Sequence, residues 1–119
     1  MAANADLSAK QYFLMKRGTT EGQCAIVAAT TDIPLGLLQN KPAASGREAE
    51  IMLLGLSKAQ VAAATDIAIN DKLGPDANGR LVQKTANNDI VNAMAEQAAT
   101  AATGDIIYVT VFPAVWFGA

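Results

Sequence analysis

A phrase that occurs twice constrains this chain more than any other feature. It first runs Ile33-Pro34-Leu35-Gly36-Leu37-Leu38-Gln39, crosses a small-residue loop to Ser45-Gly46, and resumes in Glu50-Ile51-Met52-Leu53-Leu54-Gly55. Its second appearance is Ile90-Val91-Asn92-Ala93-Met94-Ala95-Glu96, an Ala/Thr loop to Thr103-Gly104, then Ile106-Ile107-Tyr108-Val109-Thr110-Val111. Each copy reads as strand, loop with a glycine, strand. Two such units in 119 residues predict one compact, mainly β module built by pseudo-duplication.

The remaining segments fit that reading. Gln11 to Lys16 is a strand with apolar residues on both faces, Tyr12 and Leu14 on one and Phe13 and Met15 on the other, so both faces need cover. Strands are also expected over Gln23–Ala29, Glu48–Leu54 and Arg80–Lys84, with Pro34 marking an edge or a strand start. Gly74-Pro75-Asp76-Ala77-Asn78-Gly79 is the strongest turn signal. Leu56 to Ala64 suits either a short helix capped by Ser57 or a strand. Met94 to Thr103 has helical propensity, but its match to the first copy favours strand followed by loop. The expected fold is thus a single small β-barrel or β-sandwich over 11–112 with at most one short helix. An N-terminal arm over 1–10 and a C-terminal tail over 113–119 flank it.

Composition narrows the function. Charged residues make up 17% of the chain, below the usual ~25%, so part of the surface is expected to lie under a partner. The formal net charge is −2 and Lys16-Arg17 is the only adjacent basic pair, which argues against nucleic-acid binding. No stretch approaches the ~20 apolar residues of a membrane-spanning helix. The N-terminus has neither the basic nor the apolar region of a secretory signal, so synthesis in a reducing cytosol is expected.

The chemistry-bearing residues are sparse. Cys24 is the lone cysteine and suits a core thiol. Histidine, the commonest general base, is absent. A calcium loop fails over the Asp/Asn turn: with Gly79 at the invariant glycine, Gly74 falls at the first ligand and Thr85 at the bidentate one. No phosphate loop or carboxylate pair stands out, so no catalytic, metal or cofactor site is expected and the chain reads as a non-enzyme.

The order of elements from Tyr12 to Phe112 resembles the small head-decoration, or capsid cement, proteins of tailed bacteriophages. The resemblance rests on Leu35-Gly36-Leu37-Leu38-Gln39-Asn40-Lys41-Pro42, Gly46, Ile51–Gly55, Asp66-Ile67, Asp71-Lys72-Leu73, the Asp76-Ala77-Asn78-Gly79-Arg80 hairpin, and Ile90–Glu96 with Gly104-Asp105. It implies a virion protein on the outer surface of an expanded capsid, bridging neighbouring major capsid protein subunits, itself a homotrimer or a dimer. Position and composition nominate the contacts with capsid or sister subunit: Tyr12 and Phe13 beside the arm, Lys41 and Arg47 on the 40–47 loop, and Val115, Trp116 and Phe117 in the tail. The tail has no counterpart in the family pattern; it either plugs the domain's own core or anchors a neighbour. The alternative function is a β ligand-binding module for carbohydrate or a host surface.

Overall fold

The computed structural model describes residues 1–62, 66–100 and 106–116. They form ten strands in two five-stranded sheets, with no helix among the described residues. The first sheet holds β1 (Ala2–Ala3), β2 (Leu14–Arg17), β3 (Gln23–Ile26), β4 (Gly36–Leu38) and β5 (Ile51–Met52), in the order β1-β3-β2-β4-β5. The second holds β6 (Gly55–Gln60), β7 (Lys72–Pro75), β8 (Leu81–Gln83), β9 (Ile90–Ala95) and β10 (Ile106–Trp116), in the order β6-β10-β9-β7-β8. The open alternative at Leu56–Ala64 is therefore strand up to Gln60, and Met94–Thr103 begins as strand, as the internal match requires.

The duplication runs well beyond the twice-repeated phrase. Read from its far end, the second sheet runs β8-β7-β9-β10, matching β3-β2-β4-β5 in the first. Pairing registers coincide about 57 positions later in the chain: Leu14↔Leu37 becomes Lys72↔Met94, and Leu37↔Met52 becomes Met94↔Thr110. The parallel contact Ala3↔Cys24 returns as Val61↔Leu81, and Ala2↔Glu48 as Gln60↔Ile106. Backbone conformations recur too. Tyr12 and Asn70 share a positive φ of 69° and 74°, and Gly22 and Gly79 one of 81° and 78°. The turn closed by the Asp32 N–H on the Ala29 carbonyl (3.1 Å) reappears as Asp89 on Ala86 (3.2 Å).

The two copies occupy different layers, and this explains their different composition. The first sheet lies in the middle. Leu14, Val27 and Leu37 on one face join a core with Leu73, Leu81, Ala93, Val109 and Val111 of the second sheet. Met15, Cys24 and Leu38 on the other face form a second core, closed by Ala3, Leu7 and Phe13. The both-sides-apolar pattern of the first strand is thus explained by burial on both sides. In the outer sheet the positions equivalent to Leu14 and Leu37 are Lys72, which is exposed, and Met94, which is half-buried. Segment 1–10, expected as an arm, is tied down: β1 pairs with β3, and the Leu7 N–H donates to the Pro42 carbonyl at 2.8 Å. The apolar Ala3 and Leu7 have nowhere else to be buried.

Two positions show where the copies were tailored. A Cβ on Gly36 would collide with the Met52 carbonyl oxygen, whereas the second copy carries Ala93 there. Gly36→Ala is expected to cost about 1–3 kcal/mol or more in urea unfolding, because backbone cannot yield as a side chain does. Asn92 is 1% exposed and neither atom of its amide finds a partner, while the first copy has Leu35 at that position. An unpaired buried amide costs ~1–3 kcal/mol, so Asn92→Leu is expected to raise stability by about 1 kcal/mol. A loss of stability would show that the site cannot hold the branched, non-planar leucine side chain in place of the planar amide.

Candidate functional site

A group of exposed apolar side chains lies near the ends of the last strands of the two copies. Ile33, Leu53, Leu54, Val115 and Trp116 are each half-exposed or more, with Leu54 reaching 69%. Monomeric proteins seldom leave such groups clustered without use. Ile33, Leu35, Leu53, Pro113, Ala114 and Trp116 line one groove of about 280 Å³, with Arg17 at its margin. A second, of about 480 Å³, has Trp116 and Ile33 beside Thr30, Thr31, Asn88 and Asp89. Both repeat-equivalent turns contribute to its lining, so the duplication takes part in building it. A third, of about 310 Å³, runs past Met1, Arg17, Leu35, Ala49, Ile51 and Leu53.

Local chemistry fixes the turn that carries Ile33. The Asp32 carboxylate accepts the Lys16 ammonium at 2.7 Å and the Ala28 and Ala29 N–H groups at 2.9 and 3.1 Å. The Lys16 contact, then the backbone donors, hold the Asp32 carboxyl below its ordinary range. Pro34 follows and is buried, which sends the chain into β4 with Ile33 outward. Cys24 is buried, and that burial pushes its thiol up, in keeping with a core role.

The nominated contact residues separate. Val115 and Trp116 lie in the tail half of β10, paired with Val91 and Ile90 after a register irregularity, and both remain half-exposed. Phe117 lies outside the described residues. Phe13 is removed from the contact surface: at 7% exposure it belongs to the protein's own core, with the Lys10 ammonium 5.0 Å and the Arg80 guanidinium 5.5 Å from its ring. Tyr12 is half-buried and joins the sheets, its N–H donating to the Leu38 carbonyl (2.7 Å) and its carbonyl accepting from Gln60 (2.9 Å). Lys41 and Arg47 are exposed on the 40–47 loop and line none of the three grooves. Sequence reasoning missed Ile33, Leu53 and Leu54. The available signal was three aliphatic residues that extend or precede strands too short to bury them.

Asp32 gives this face a pH dependence. A depressed carboxylate contributes stability that is fully present above the ordinary Asp pKa of 3.8 and is lost as pH falls through the lower folded value. Asp32→Asn is therefore expected to reduce stability at neutral pH by about 1 kcal/mol or less, since the pair is partly solvated. The difference from the parent should vanish on acidification below that pKa, as followed by thermal unfolding.

The sequence matches no family model and no curated protein. Among solved structures, the chain shares its fold with the N base of head fiber gp8.5 of bacteriophage phi29, at a TM-score of 0.64 and 20% identity, over 92% of this chain and 87% of that one.

Proposed function

We propose that this protein is a non-enzymatic structural component of a bacteriophage head. It sits on the outer surface of the expanded shell and stabilises it by bridging neighbouring major capsid protein subunits. The observation that carries the reading is the fold shared with a head-fiber base over nearly the whole of both chains. The exposed apolar face around Trp116 and Leu53 supports it, because Trp and clustered aliphatics are typical interface anchors. Lys41 and Arg47 stand ready on their loop to meet carboxylates of the shell. Many copies make many identical contacts, so modest affinity per copy suffices to hold a lattice. A closed homotrimer or dimer matches the symmetry of such a shell.

Co-sedimentation of the purified protein with expanded heads that lack it tests this directly. Saturation at a fixed, symmetry-compatible number of copies is expected, and Trp116→Ala should lower the apparent affinity at least about tenfold, as for an interface anchor. No binding to any such shell would overturn the reading. A second reading has its own observation: the aromatic ring of Trp116 shares a groove with two threonines, an asparagine and an aspartate, a mixture that suits a sugar face and its hydroxyls. Saturable binding in a glycan screen together with absent shell binding would put that reading first.

A further inference from the structure

The β7–β8 hairpin of the second copy closes on the first sheet and leaves a cavity of about 320 Å³ at the junction. This cavity shares no lining residue with the three grooves described above. Its frame is fixed by backbone. The Leu14 N–H donates to the Gly79 carbonyl at 2.7 Å and so holds the hairpin tip against β2. A Cβ on Gly79 would stand 2.7 Å from Ile26 Cγ1, and its φ of 78° also suits glycine. The Asp76 carboxylate braces the turn by accepting the Asn78 and Arg80 N–H groups, each at 2.8 Å. Phe13, Ile26 and Val27 of the first copy supply apolar lining. Lys10 from the N-terminal segment and Asn78 and Arg80 from the hairpin supply the polar groups.

The charge gathered there is of one sign. The Lys10 ammonium lies 5.0 Å and the Arg80 guanidinium 5.5 Å from the Phe13 ring. A ring face attracts a cation through its quadrupole but offers no lone pair to the N–H donors. The Arg80 Nε is buried and has no hydrogen-bond partner. Among the described residues no carboxylate lines the cavity. Two carboxylates bond to the backbone of its lining residues, and both are turned elsewhere. Asp76 serves its own turn, and Asp32, which accepts the Ala28 N–H at 2.9 Å, holds the Lys16 ammonium at 2.7 Å. The duplicated hydrogen-bonding plan does not call for this chemistry. The positions matching Lys10, Phe13, Asn78 and Arg80 in the other copy are Ala68, Asp71, Glu21 and Gln23.

We infer that this cavity is a binding site for a carboxylate carried on a short aliphatic stem. A glutamate side chain of a partner protein and a free short-chain acid both offer that chemistry. The Arg80 guanidinium is a planar fork that matches two carboxylate oxygens, and the Asn78 amide adds a donor. Lys10 contributes charge, while Phe13, Ile26 and Val27 cover the stem. An anion beside Lys10 and Arg80 also relieves the repulsion between two cations on one ring. Inorganic phosphate suits the place less, because apolar walls leave its remaining oxygens without donors. None of these residues belongs to the Trp116 face or to the 40–47 loop, so the site stands or falls separately from shell binding.

The probe is the capped peptide Ala-Glu-Ala, titrated into the intact ¹⁵N-labelled protein and followed by NMR at the Asn78 and Gly79 amides and the Arg80 Nε–H. Saturable shifts at these groups are expected in the millimolar range or tighter. The same peptide with glutamine in place of glutamate should produce none. Arg80→Gln, which matches Gln23 of the first copy, and Lys10→Gln should each weaken binding at least about tenfold while the rest of the spectrum stays unchanged. Butyrate, run in parallel, separates the sources: tighter binding of the peptide assigns the carboxylate to a partner protein, tighter binding of butyrate to a free acid, and either upholds the site. Three results overturn the inference: no saturable shift with peptide or butyrate, equal binding of the glutamine peptide, or inorganic phosphate binding more tightly than both carboxylates. The glutamine-peptide comparison uses the unaltered protein, so it decides the matter even where a variant fails to fold.

Discussion

Burial of the first sheet on both faces is the constraint from which the rest of the molecule follows. Leu14 and Leu37 face one core while Met15 and Leu38 face the other, so successive residues of the same strands must all be apolar. A strand of that kind is stable only with material on both sides. The second sheet supplies one cover. The N-terminal segment supplies the other, and this is why residues that look like a free arm are fixed by β1 and by Leu7. Tyr12 stands at the junction: its backbone bonds both to Leu38 in the first sheet and to Gln60 in the second.

Duplication provides two copies of one hydrogen-bonding plan, and position in the stack decides what each copy carries. The middle copy needs Leu14 and Leu37 where the outer copy has Lys72 and Met94. The same plan with different neighbours also separates the last strands. β10 is flanked by β9 and β6, while β5 pairs with β4 among the described residues.

The exposed face around Trp116, Ile33, Leu53 and Leu54 lies where both copies finish. One of its grooves is lined by both equivalent turns, through Thr30 and Thr31 of the first and Asn88 and Asp89 of the second. The chemistry on offer there is apolar and aromatic surface beside hydroxyl, amide and carboxylate groups.

The sequence by itself determined the β class, the strand-loop-strand phrase and the need to bury both faces of the first strand. These are properties of alternation and local turn chemistry, which act over a few residues and leave a direct trace in residue order. Val115 and Trp116 were conspicuous in the sequence as large apolar groups in a short tail, and the fold leaves both half-exposed. Only the tertiary structure decided that Phe13 is core and Leu53 is surface, although both are large, apolar and next to a strand. The distinction depends on which sheet lies in the middle and on where Arg80 and Lys10 meet the Phe13 ring, contacts between segments far apart in the chain. The full extent of the duplication was hidden for a related reason. Hydrogen-bond register is carried by the backbone and persists after side chains such as Leu14 and Lys72 have diverged to suit different layers.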